Sequence, residues 1–209
     1  MLNLYFAPLA CSLASRISLY EAGADARFSQ VDTRSKRLAD GGDFFAVNPM
    51  GQVPALETDD GQVLTENTAV LQYLAEHFPA ARLAPDGAMA RARLREWLGF
   101  IGTELHKAVF VPLLDPKAPQ EVKAYAREKL ALRMALLERH LTGREFLLDA
   151  FSVADAYLAT VLNWTRATAV DLAAWPAVAG YHARMLQRPS VAKAVGEEFA
   201  LFQAAQKAR

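Results

Sequence analysis

Cys11 is the only cysteine in the 209-residue chain, and it stands where a turn gives way to a helix. Asn3–Phe6 reads as a short strand, Ala7-Pro8 breaks it, and Leu13, Ile17 and Tyr20 then recur at helical spacing. Ser12 follows the cysteine with a hydroxyl suited to capping the helix start. A helix N-terminus presents unpaired N–H groups and a partial positive charge, which favour a thiolate. Such a site can activate Cys11 itself or the thiol of a bound cofactor. The competing reading is a buried structural cysteine.

Three further stretches carry chemistry. In Asn48-Pro-Met-Gly-Gln-Val-Pro-Ala-Leu56, Pro49 and Gly51 make a tight turn and Val53-Pro54 opens a strand. Pro54 is a candidate for a cis bond, which would leave the backbone of Val53 open to pair with an extended ligand. A plain turn before a strand is the alternative. Glu66 and Asn67 stand at a helix start, where an acid complements the helix dipole. In a binding role Glu66 would anchor an ammonium group, and Asn67 with the free N–H groups would take a carboxylate. His106 and Lys107 lie near the end of a helical stretch; a lone histidine there is ordinarily a core or surface residue. The basic loop Arg34-Ser-Lys-Arg37 reads as solvated surface.

The elements that must position these residues change character at residue 80. Residues 1–78 alternate: strand, helix, a strand over Arg27–Thr33, a helical turn near Asp43–Val47, and a helix bearing Ala69, Val70, Tyr73, Leu74, His77 and Phe78 on one face. Before that helix, Asp59-Asp60-Gly61 turns a hairpin between Val53–Glu57 and Gln62–Thr65. Pro79–Gly87 is the break. Beyond it everything has helical period. Leu94, Leu98, Ile101 and Leu105 make one stripe of a long helix ended by Pro112 and Pro116, and Pro119–Leu141 makes the next helix. Ser152-x-x-Asp155 is a capping box ahead of Val153, Tyr157, Val161 and Trp164. Pro176–Leu186 and Pro189–Ala205 close the chain as two more helices. The expected domains are residues 1–80, a linker over 81–87 and an all-helical domain over 88–209.

Composition narrows the function classes. Lys plus Arg equals Asp plus Glu at 23 each, which gives no electrostatic case for nucleic acid or an anionic membrane. One cysteine rules out an internal disulfide and a cysteine-rich metal site, and it suits a reducing compartment. No targeting segment or apolar run of spanning length is evident, so a cytoplasmic protein is expected.

Taken together, Tyr5, Pro8, Ala10-Cys11-Ser12-Leu13, Asn48-Pro49, Gly51-Gln52-Val53-Pro54, Thr65-Glu66 and the helix ending Gln72-Tyr-Leu74 resemble the glutathione transferases, most closely the bacterial beta class. The segment over residues 97–107, ending His106-Lys107, resembles the part of that class that lies beside bound glutathione. The resemblance implies an α/β N-terminal thioredoxin-like domain plus an all-α C-terminal helical domain. It also implies a homodimer, glutathione as co-substrate and no metal. Cys11, Ser12 and His106 would serve catalysis. Tyr5, Lys36, Gln52, Val53, Pro54, Glu66, Asn67 and Lys107 would bind glutathione. Phe6, Phe110, Tyr157 and Trp164 would line a pocket for a small hydrophobic electrophile between the domains. A hundredfold rise in the ionised fraction of the glutathione thiol takes roughly 2.7 kcal/mol of preferential stabilisation. The thiolate would attack an electrophilic carbon or, with Cys11, exchange with a disulfide. Gly99 stands where the class commonly has Asn, and Met50 where it commonly has Lys. A non-catalytic interaction protein and a specialised glutathione-dependent isomerase or dehalogenase are the alternatives on the same fold.

Overall fold

β1 (Leu2–Phe6) runs through the middle of a five-stranded sheet in the computed structural model, which describes residues 1–207. Ala208 and Arg209, the last two residues of the expected helical domain, lie outside the described residues. After α1 (Leu13–Glu21), β2 (Ala26–Asp32) returns parallel to β1, as a crossover helix requires. β3 (Arg37–Leu38) pairs antiparallel with β2. β4 (Ala55–Glu57) pairs antiparallel with β1, and β5 (Val63–Thr65) with β4, giving the order β3-β2-β1-β4-β5. α2 (Asn67–His77) follows. This is the thioredoxin-like mixed sheet that the alternation implied.

Strand geometry sorts the side chains of β1 onto two faces. Leu2, Leu4 and Phe6 join Leu19, Leu56, Val70 and Leu74 in the core beneath the helices. Tyr5 points the other way, with Val31, Phe44 and Ala55. A short 3-10 turn over Phe44–Ala46, capped by the Asp43 carboxylate accepting from Phe45 N–H at 3.0 Å, stands where one helical turn was expected. Arg37, read as part of a basic loop, instead belongs to β3; two residues are too few to show an alternating pattern.

The second stretch is helical: α3 (Ala88–Gly99), a π-helix over Phe100–Phe110, α4 (Val111–Leu114), α5 (Gln120–Leu141), α6 (Val153–Asn163), α7 (Thr165–Thr168) and α8 (Pro176–Gln187). Every residue of α6 is buried. Its start carries the expected capping box. Ser152 Oγ accepts from Ala154 N–H at 3.3 Å, and the Asp155 carboxylate accepts from Ser152 N–H at 2.9 Å. Burial raises Asp155, while its donors Leu147 N–H, Tyr181 OH and Ser152 oppose the rise.

Two expectations are corrected here. The long helix after the linker is not α-helical throughout. Thr103 Oγ1 takes the carbonyl of Gly99 at 3.0 Å, and Val111 N–H reaches back five residues to His106, beside a proline with no N–H to give. The second correction concerns the domain limit. α9 (Pro189–Lys207) packs on α1, so Arg188 and α9 belong with Met1–Ala84 in one unit, and Pro85–Gln187 forms the other. The helical period of α9 does not reveal its partner.

Candidate active site

The turn between β1 and α1 carries Cys11. Ala10 N–H bonds Ala7 O at 3.1 Å, Leu13 N–H bonds Ala10 O at 3.0 Å, and Leu9 adopts a left-handed φ of 60°. Ser12 is wholly buried. Its Oγ accepts from Ala7 N–H at 3.2 Å and donates to Ala7 O at 3.3 Å. The hydroxyl therefore folds the turn and does not cap α1. Ser12 already has helical φ and ψ (−59°, −19°), a conformation unlike the extended one from which a side chain reaches forward to the first N–H groups.

Cys11 is partly exposed, and its Sγ donates to the carbonyl of Val53 at 3.3 Å. The Val53-Pro54 bond is cis. The segment before it is fixed side chain by side chain. Asn48 Nδ2 donates to Gln52 O at 2.7 Å, and Asn48 Oδ1 accepts from Met50 N–H at 3.0 Å. Gly51 has φ 60°, and a Cβ there would stand 2.7 Å from the Phe45 ring. Lys36 Nζ donates to Gly51 O at 2.8 Å. The lysine read as solvated is thus a brace under this edge. Gln52 is exposed and joins the site through its backbone.

Glu66 precedes α2 with φ 65° and ψ 116°, outside the regions a side-chain-bearing residue ordinarily occupies. Its carbonyl accepts from Ala69 and Val70 N–H, while its exposed carboxylate has no partner among the described residues. Asn67 corrects an expectation. Its side chain turns inward, Oδ1 accepting from Ser15 Oγ of α1 at 3.2 Å, so only its backbone is offered at the α2 start. That bond joins the two helix starts, and it places Glu66 and Cys11 on neighbouring turns.

Tyr5 and Phe6 do not join the group. The Tyr5 hydroxyl donates to the Glu57 carboxylate at 2.9 Å, and burial, then Glu57, raises the phenol. Phe6 lies in the helix-side core with the Arg16 guanidinium 4.6 Å over its ring. Both follow from the two-residue repeat of β1.

In the helical unit, His106 Nδ1 lies 2.7 Å from Tyr157 OH, and its ring centroid is 4.8 Å from that of Trp164; Phe110 lies 5.9 Å from Trp164. These four are brought together, but Phe110 and Tyr157 are fully enclosed and Trp164 nearly so. They form the support of His106, not the wall of an open pocket. Burial, then the charge of Lys107, pushes His106 down to about 4. It is a neutral hydrogen-bonding group at pH 6.5, not the cation that thiolate stabilisation would use. Lys107 is exposed and has no partner among the described residues. An open cavity of this unit, about 540 Å³, is lined by Arg93, Glu96, Trp97, Phe100, Leu136, Arg139 and His140, none of them expected at an electrophile site.

Two contributors escaped the sequence reading: Ser15, whose Oγ donates to Asn67 Oδ1, and Glu198, whose Oε2 accepts from Leu9 N–H at 2.7 Å. Asn48, quoted there only as part of a motif, braces the turn through its side chain. For Glu198 a signal existed, since Val191 and Ala194 share its helix face and a carboxylate interrupts that apolar stripe. Among the described residues, no group of three His, Cys, Asp or Glu side chains is placed to hold a metal, and no helix is long and apolar enough to cross a membrane.

Comparison with known proteins follows this division. Residues 10–77 match the family model described as "Glutathione S-transferase, N-terminal domain", and residues 103–189 the one described as "Glutathione S-transferase, C-terminal domain". The chain is 43% identical to the glutathione S-transferase GstA of Escherichia coli O157:H7, over 94% of this chain and 98% of that one. A sphingomonad glutathione S-transferase solved in complex with glutathione is 45% identical, with a TM-score of 0.89 over 94% of this chain and 98% of that one. The bacterial beta class glutathione S-transferase of Sphingomonas chungbukensis is 42% identical, again with a TM-score of 0.89 over 94% and 98%.

Proposed function

The chain belongs to the glutathione S-transferase family, in its bacterial beta class, and from that premise we propose how it handles its co-substrate. Glutathione lies extended along Val53, whose backbone pairs with the cysteinyl residue. The Glu66 carboxylate takes the γ-glutamyl ammonium, and the unpaired N–H groups at the start of α2 take the adjoining carboxylate. Lys36 holds the Gly51–Val53 edge through Gly51 O.

The sulfur is placed beside Cys11 at the start of α1, where the helix dipole favours its thiolate. That thiolate attacks an electrophilic carbon. A C–S bond forms and the leaving group departs with its electron pair. With a disulfide, the thiolate attacks one sulfur and releases the other as a thiolate. Cys11, the only cysteine, serves this exchange through a mixed disulfide with glutathione. His106 works as a neutral hydrogen-bonding residue, and Ser12 acts by shaping the turn.

The observation that carries this reading is the 3.3 Å contact of Cys11 Sγ with Val53 O, one helical turn from the Ser15–Asn67 bond that brings in Glu66. We place the enzyme in the cytoplasm, where a reactive thiol stays reduced, and, from the family resemblance, as a homodimer. Calorimetric titration with glutathione, followed by assays on small hydrophobic electrophiles and on mixed disulfides, tests it. Binding with turnover of either class upholds the reading. No heat at millimolar glutathione overturns it in favour of an interaction protein.

A further inference from the structure

Leu9 N–H donates to Glu198 Oε2 at 2.7 Å, across 189 positions of sequence. Glu198 lies on α9 with no solvent exposure. Its other oxygen accepts from Arg16 Nη1 at 3.3 Å, and the buried Arg16 guanidinium sits 4.6 Å over the Phe6 ring and 4.2 Å over that of Phe28. Glu197 stands 3.8 Å from Arg16 and accepts from Tyr20 OH, over whose ring Lys193 Nζ lies at 4.2 Å.

Arg16 alone explains why a carboxylate is tolerated here, but not why its second oxygen meets the turn. Leu9 holds φ 60°, a conformation that leucine adopts only when its surroundings impose it. Leu9 is two residues from Cys11, and the bonds of Ala10 and Ser12 to Ala7 close the turn on either side of it. The Glu198 bond fixes the one strained residue between them.

We propose that Glu198 is a positioning residue for Cys11: its Oε2 pins the left-handed Leu9 and so sets where the Cys11 thiol stands against Val53. The role rests on the proposed use of Cys11 in glutathione chemistry. Because the turn is fixed by an acceptor at a given reach, geometry matters more than charge. Glu198→Gln keeps both the reach and an acceptor oxygen. Glu198→Asp keeps the charge and the Arg16 pairing but falls one methylene short of Leu9. Glycine at position 9 adopts φ 60° without help.

The test measures Cys11 alkylation by iodoacetamide in the folded protein, together with KM and kcat for disulfide exchange. Glu198→Asp should slow alkylation and lower kcat by about tenfold, the weight of one well-placed hydrogen bond, with KM for glutathione within about twofold. Glu198→Gln should stay within about twofold of wild type, and Leu9→Gly added to Glu198→Asp should restore the rate. Unchanged alkylation in Glu198→Asp, or an equal loss in a folded Glu198→Gln, overturns the proposal. Hydrogen exchange on the wild type reads it even if both variants fail to fold: protection of the Leu9 amide supports it, and exchange at the rate of an exposed loop overturns it. Alkylation needs no glutathione, so a failure of glutathione binding would remove the proposed activity and leave this result standing.

Discussion

The thiol of Cys11 donates to the main-chain carbonyl of Val53 at 3.3 Å, so the single cysteine already touches the backbone edge on which an extended peptide would lie. A ligand whose own cysteine pairs with Val53 brings its sulfur to the same place. The two sulfurs then share one helix start, and a mixed disulfide between them needs little movement.

Replacing Cys11 should therefore divide the two activities. Cys11→Ala should lower disulfide exchange by about a hundredfold or more, because the mixed disulfide can no longer form. Conjugation should fall by less than about tenfold, since the dipole of α1 and the turn remain. Parallel steady-state assays on an electrophile and on a mixed disulfide check this, and equal losses would refute the division.

Glu66 stands exposed on strained backbone, its carboxylate without a partner among the described residues. Glu66→Gln removes one charge-assisted bond to the ligand's ammonium, about 2 kcal/mol, and should raise KM for glutathione roughly thirtyfold with little change in kcat at saturation. A fall in kcat with unchanged KM would place the residue in the chemical step instead.

Why these parts of the site were legible and others were not follows from what each depends on. Cys11, Val53-Pro54 and Glu66 sit at turns and element starts, where local sequence dictates geometry. β1 and α2 announce themselves by periods of two and 3.6 residues. The same rule separates Phe6 from Tyr5 and puts Phe6 on the face of Leu4, so its place in the core was available to a stricter reading. The π-helix was not, because Ile101 and Leu105 are buried in either winding. Nor were the partner of α9 and the charge state of His106, which depend on residues far away in the chain.

That charge state has a consequence for stability. His106 titrates near 4 in the folded protein and near 6.5 when unfolded, and His182 behaves alike, through burial and then Arg166. Between those values the unfolded chain binds more protons, so each contribution is intact above about pH 6.5 and is lost as pH falls toward 4. Each histidine is worth up to about 3 kcal/mol across that window. Glu198, raised to about 7 by burial despite the opposing pull of Leu9 N–H and Arg16, has the opposite sign and offsets part of the slope. Urea unfolding of wild type and His106→Gln at neutral and mildly acid pH checks the sign: the variant should lose less stability on acidification. Parallel profiles would show that His106 is not held neutral.

Gly99 has helical dihedrals (−61°, −51°), and a Cβ there meets nothing within 4 Å. Gly99→Ala should therefore stabilise the helical unit by about 0.5–1 kcal/mol, from the lower backbone entropy of the unfolded chain. Thermal unfolding followed by circular dichroism reads it, and a lower midpoint would mean that the π-helical winding needs glycine at its start. Met50, the other departure, is 73% exposed, as a surface position should be.

The most direct measurement is the rate at which Cys11 takes up a glutathionyl group from oxidised glutathione, releasing the other half as the glutathione thiolate, followed by intact mass, against the rate with a small disulfide that lacks the γ-glutamyl groups. A site that holds glutathione along Val53 and anchors it at Glu66 should react with oxidised glutathione at least about tenfold faster, and Glu66→Gln should erase that preference. Equal rates for the two disulfides in the wild type, or a preference that survives Glu66→Gln, would contradict it.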